Sequence, residues 1–195
     1  MDNQLEKKVF AWAKADKNNL SDCKEEYCAT RDIFQARLDK MTNSLLNAKK
    51  ISEEDVYILT AIAGEIGNNS FDHNLGSWPD VMGVFFGYEL ADGEIKIALA
   101  DRGQGLLATL KRVKPELKND SEALITAFNE RISGRAPEPR GNGLKFVKEN
   151  IKDRKMHLLF VTGQARAELN DKMIVEEVNE NITGSLALIT YKYAR

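Results

Sequence analysis

Glu65 and Asn69 stand four residues apart in the stretch Glu65-Ile66-Gly67-Asn68-Asn69-Ser70-Phe71-Asp72-His73. On a helix this spacing puts a carboxylate and a carboxamide on one side, one turn from each other. The amide oxygen is a hard ligand suited to magnesium, and the carboxylate can orient or deprotonate a water. The same pair also fits a solvated helix face. Three later motifs bear on the choice. Asp101-Arg102-Gly103-Gln104-Gly105 closes an alternating apolar run, Gly141-Asn142-Gly143-Leu144 opens a helical pattern, and Thr183-Gly184-Ser185 leads into an apolar strand. An Asp at a strand end with two glycines after it suits a ligand that comes close to the backbone. Glycines at a helix start leave N–H groups free for an anion, although glycine before a helix also serves ordinary loops.

The elements that must position these residues follow from periodicity. Ser52 followed by Glu53, Glu54 and Asp55 resembles a capping box. Val56, Leu59, Ile62, Ala63 and Ile66 then recur at helical spacing and define one buried face. Upstream, Asn3 to about Lys17 and Arg31 to about Lys50 read as two helices, the second with Ile33, Phe34, Leu38, Met41, Leu45 and Leu46 at helical spacing. After a loop at residues 74–80, Val81 to Leu90 and Glu94 to Ala100 read as strands joined by an Asp92-Gly93 hairpin signal. Short helices are expected from Gly105 and from Ser121. The polar segment Lys114 to Arg140, with Arg135, Pro137, Pro139 and Arg140 near its end, reads as a mobile lid or as a plain surface excursion. The last third reads as strands from His157, Ala165, Met173 and Gly184, with turns at Gly163, Asn170-Asp171 and Asn179-Glu180-Asn181. This order predicts an α+β fold, a two-layer sandwich of a mixed sheet with helices on one face. Residues 1–51 are expected as a helical N-terminal extension and residues 52–195 as the main domain.

Composition narrows the class. A chain of 195 residues can bury one sizeable core, and its 43% hydrophobic and 30% charged shares are ordinary for a globular protein. A net charge of -2 gives no electrostatic case for nucleic acid or an anionic membrane. Apolar runs stop well short of the ~20 residues a membrane span needs, and the N-terminus lacks a signal-peptide apolar core. A cytoplasmic protein is therefore expected. Cys23 and Cys28 have no further Cys or His nearby, which argues for reduced thiols over a zinc site.

The succession Glu-x-x-x-Asn, Asp-x-Gly-x-Gly, Gly-x-Gly-Leu and a late Gly-Ser resembles the Bergerat-fold (GHKL) ATPases. That group includes the gyrase B subunit, the heat-shock chaperone ATPases and the ATP-binding domains of histidine kinases and anti-sigma-factor kinases. The resemblance runs from about Ser52 to the C-terminus. It implies ATP and Mg2+ as cofactors, with Asn69 holding the metal and Glu65 polarising the attacking group. It further implies that Asp101 meets the adenine amino group, with Gly103 and Gly105 close to the nucleotide. Arg140, Gly141, Gly143 and Leu144 would lie at the phosphates. Ser185 stands where the group often has threonine. His73, four after Asn69, is similar to the anti-sigma-factor kinase pattern, whereas Asp72 is nearer to the gyrase pattern. The implied activity is that of a regulatory protein kinase or slow ATPase switch acting on a protein partner. A non-catalytic, nucleotide-responsive interaction module is the alternative.

Overall fold

The computed structural model describes residues 4–15, 23–91, 93–132 and 143–194. Five strands form one sheet: β1 (Tyr27–Cys28), β2 (Val84–Ala91), β3 (Glu94–Asp101), β4 (His157–Leu169) and β5 (Met173–Lys192). Their spatial order is β1-β2-β3-β5-β4, and every neighbouring pair is antiparallel. The expected mixed sheet is corrected here, and the reason is positional. β3 and β4 point the same way, but β5 folds back from β4 and fills the place between them, so no parallel pair is adjacent.

Two expected turns also fall inside strands. Gly163 (φ +55°) is a bulge in β4, with register shifts on either side, and not a chain reversal. A side chain there would overlap the Asp120 carboxylate, which instead accepts the Gln164 N–H at 2.9 Å. Asn179-Glu180-Asn181 continues through β5.

The helices are α1 (Gln4–Lys14), α2 (Arg31–Ala48), α3 (Glu53–Asn74), α4 (Gly105–Leu110), α5 (Asp120–Asn129) and α6 (Gly143–Asp153). Alternation along β3 assigns the two faces of the sheet. Ile95, Ile97 and Leu99 face the core built with α2, α3, α5 and α6, while Ala98 and Ala100 face the cluster under Leu5, Val9 and Trp12 of α1. α1 therefore covers the face opposite the main helical layer. α2 packs on α3 through the close contact of Phe34 with Gly67, where a side chain would overlap the ring. Phe34 in turn meets Phe86 edge-on at 5.3 Å. The Ser52 hydroxyl caps α3 by accepting the Asp55 N–H at 3.1 Å.

α5 belongs to the core, with Leu124 and Phe128 fully buried and Phe128 edge-on to Phe160 at 5.4 Å. The first half of the expected lid is thus a fixed part of the helical layer. Residues 133–140 of that segment lie outside the described residues. No helix among the described residues is long and apolar enough to cross a membrane.

Candidate functional site

Asp101 is the last residue of β3 and shares the face of Ile97 and Leu99, so its carboxylate points under α3. It is 3% exposed. Four donors surround it. The Ser70 hydroxyl donates to Oδ2 at 2.8 Å, while the Gly103 N–H at 2.8 Å and the Asn74 amide at 3.2 Å both donate to Oδ1. The backbone N–H of Ser185, its register partner on β5, is the fourth. Burial pushes the Asp101 carboxyl above the ordinary carboxylate value, and these four hydrogen bonds oppose that push.

Asn74 ties the site together. Its amide also donates to the Ser70 carbonyl at 2.8 Å, and its oxygen accepts the Gln104 N–H at 2.9 Å. Gly103 lies flat against this carboxamide with no room for a side chain. The turn after Asp101 is held from the other side as well. The Arg102 guanidinium grips Asp80 (Nη2–Oδ2 2.6 Å) and donates from Nη1 to the Trp12 carbonyl of α1 at 2.9 Å. Gly105 adopts φ +78°, a left-handed conformation that favours glycine, and lets the chain enter α4. The Thr162 hydroxyl, fully buried, accepts the Leu106 N–H at 3.2 Å and donates to the Gly184 carbonyl at 2.9 Å.

These elements enclose a narrow cleft. Asn69, His73, Asp101, Gly105, Leu144 and Ser185 all line it, together with Ser70, Asn74 and Phe160. It holds about 40 Å³, room for a water or two. Glu65 is exposed on α3 and does not line the cleft. It nevertheless meets the start of α6, because a Cβ on Gly143 would sit 2.5 Å from Glu65 Oε2 and 3.3 Å from Asn69 Nδ2. The fold thus brings residues of all four sequence motifs to one cleft and sets Glu65 and Gly143 at its rim. Arg140 and Gly141 lie outside the described residues. His73 is largely buried, and that burial, with the Arg112 charge nearby, holds its imidazole below the ordinary value.

Ser70, Asn74 and Thr162 are site residues that motif reading missed. Ser70 and Asn74 carry a weak signal, being polar and four apart on the helix that bears Glu65 and Asn69. Thr162 carries a stronger one, as the lone hydroxyl inside the apolar run Leu158-Leu159-Phe160-Val161 before Gly163.

The arrangement can accept a hydrogen bond from a donor group at the cleft floor once the Ser70 hydroxyl turns from Asp101 to the Ile66 carbonyl, and it presents a carboxamide, a carboxylate and a helix N-terminus at its rim. No protein-family model matches this chain, and no curated protein matches it in sequence.

Proposed function

We propose that this chain is a Mg-ATP-binding domain of the Bergerat type that serves as a regulatory protein kinase or slow ATPase switch on a protein partner. The observation that carries this reading is the meeting of Gly143 with Glu65 and Asn69 at the rim of a cleft floored by Asp101. Asp101 takes the exocyclic amino group of adenine. Its four donors already fill its lone pairs, but the Ser70 hydroxyl has a second acceptor in the Ile66 carbonyl at 3.3 Å. Turning Ser70 to that carbonyl frees one lone pair for the ligand. Small-molecule sites enclose roughly 300–1,000 Å³, so adenine enters only when the side chains that line the cleft, Leu144 and His73 among them, move aside.

At the rim, the residues present fit a hydrated divalent cation. The Asn69 oxygen is a hard ligand, and Mg2+ keeps most of its waters and binds few protein groups directly. The ion supplies charge neutralisation at the phosphates. Gly143 at the start of α6 lets Glu65 and Asn69 come close to its backbone, and the free N–H groups of that helix start suit an anion beside Asn69. Glu65, exposed to solvent, is placed to accept a proton from water or from a partner's hydroxyl.

A nucleotide-responsive module without turnover is the second reading, favoured by the closed cleft. A site that must open to admit its ligand converts binding into a change of shape. Phosphate release and transfer to candidate partner proteins, measured with Mg-ATP at saturating concentration, separate the two. Turnover above the uncatalysed rate supports the first, and saturable binding with no turnover supports the second.

A further inference from the structure

On the side of the sheet away from β4, the edge of β2 is covered only in part. β1 pairs at Tyr27↔Phe85 and Cys28↔Val84, and the Phe86 N–H donates to the Glu26 carbonyl at 2.8 Å. The chain then turns off, since the Glu26 N–H bonds back to the Cys23 carbonyl at 3.1 Å. Strand alternation puts the N–H and C=O groups of Tyr88 and Leu90 on the same side as that Phe86 contact, and those of Gly87 and Glu89 toward β3. Among the described residues, no strand pairs with Tyr88 or Leu90 along this edge. An unpaired row of main-chain donors and acceptors is a template for another strand.

The edge is recessed in a groove of about 300 Å³. Leu5 and Lys8 of α1 form one wall, Arg37 and Lys40 of α2 the other, and residues Phe86 to Glu89 the floor, with Gln4, Glu25 and Glu26 completing the lining. The two walls differ in charge. Lys8 is neutralised by Glu26 at 2.8 Å. On α2, Arg37 gives one nitrogen to the Lys24 carbonyl at 3.3 Å and lies beside the Cys28 thiol with its Nη1 buried, while Lys40 is exposed and has no ion pair among the described residues. Tyr88 points to the α2 side, where its hydroxyl meets the Ser44 hydroxyl at 3.0 Å.

We propose that this groove binds an extended segment of a partner protein, added as a strand on β2, with an acidic side chain opposite Tyr88 directed at Arg37 and Lys40. A residue opposite Tyr88 on an added strand points to the same face as Tyr88, which is the α2 face. Main-chain pairing to Tyr88 and Leu90 supplies affinity, and the exposed Lys40 ammonium on the α2 wall supplies the choice of side chain. Helices flank this edge of β2 on both faces, α1 on one and α2 on the other, so the slot suits a lone extended strand. This inference stands independently of the nucleotide reading.

The test uses two fluorescein-labelled, end-blocked hexapeptides, Thr-Val-Asp-Val-Thr-Val and the same peptide with Lys in place of Asp. Fluorescence anisotropy is measured with the full chain and with two variants. Leu90→Pro removes an N–H from the open edge at a partly exposed position where proline is tolerated, and its fold is checked by circular dichroism. Lys40→Glu, at an exposed position, leaves the backbone untouched. The acidic probe is expected to bind about tenfold more tightly than the lysine probe, a discrimination on the scale of one favourable against one repulsive charge contact. Lys40→Glu should reverse that preference, and a folded Leu90→Pro should weaken both probes by about tenfold or more. Hydrogen exchange at the Tyr88 amide should slow in the presence of the acidic probe. No binding at millimolar probe, unchanged probe preference in Lys40→Glu, or unchanged Tyr88 exchange overturns the proposal. So does a concentration-dependent dimer in sedimentation that the probe disrupts, which makes a second copy the occupant.

Discussion

Replacing Gly103 with alanine should damage the site through a residue it does not change. Gly103 is not among the glycines at positive φ, so alanine is acceptable to the backbone and the effect is steric. The new methyl group overlaps all three heavy atoms of the Asn74 carboxamide, and Asn74, 4% exposed, must leave its place. Three hydrogen bonds go with it: to the Ser70 carbonyl, to Asp101 Oδ1 and from the Gln104 N–H. At ~0.5–1.5 kcal/mol net for each of the three bonds, the loss is about 1.5–4.5 kcal/mol. The entropy that alanine removes from the unfolded chain returns roughly 0.4–1 kcal/mol. Equilibrium unfolding in urea, followed by circular dichroism, should therefore show Gly103→Ala destabilised by about 1–4 kcal/mol. Asn74→Ala should cost a similar amount, since it loses the same bonds. The double variant decides the matter, because the Gly103→Ala methyl group fits the space that Asn74→Ala vacates. It should be no less stable than Asn74→Ala alone, with a coupling energy of at least about 1 kcal/mol. Additive losses, or a Gly103→Ala variant within ~0.5 kcal/mol of the parent, would refute the claim that Asn74 is the hub beneath Asp101.

Asn69→Ala should remove the magnesium dependence of ATP binding without lowering thermal stability, as isotherms in Mg2+ and in EDTA would reveal. Glu65→Gln should keep Mg-ATP affinity near that of the parent while turnover falls ~10²-fold, the usual scale for a general base; loss of magnesium-dependent binding would instead make Glu65 a support for Asn69. His73 titrates below its ordinary 6.5 because the fold favours the neutral ring. A depressed histidine pKa contributes stability that is complete above the unfolded value and lost as pH falls through the folded value. The melting temperature should drop between pH 7 and pH 5, and His73→Asn should flatten that drop.

Much of the architecture was legible because its cause is local. The Ser52 cap, the apolar face of α3, the alternation of β3 and the Asp92-Gly93 signal between β2 and β3 are all written in short windows of sequence. Strand neighbours are not local. Nothing in the run from His157 to Tyr193 says that β5 inserts between β3 and β4, so the absence of an adjacent parallel pair became visible only in the fold. Gly163 looked like a turn because glycine serves turns and bulges alike, and the Asp120 carboxylate that needs the space lies far away in sequence. The lid expectation failed for α5 on the same ground. Leu124 and Phe128 are spaced for burial, but their partner Phe160 comes from a distant strand. Motif spacing points to Asp101 and Asn69, which line the cleft, whereas Asn74 was hidden at the end of α3, where Asn74-Leu75-Gly76 reads as the start of a loop.

The most direct test of nucleotide binding is a calorimetric titration of ATP, with magnesium, into the parent chain and into Asp101→Asn. The variant keeps the shape of the carboxylate but turns one oxygen into a donor facing the adenine amino group. ATP should bind the parent saturably and GTP should bind it poorly, because the guanine edge offers a carbonyl where adenine offers an amino donor. Asp101→Asn should weaken ATP by ~5- to 150-fold, corresponding to about 1–3 kcal/mol for a buried hydrogen bond replaced by a mismatch. No ATP binding by the parent at millimolar concentration, or equal affinity in the two proteins, would contradict the account.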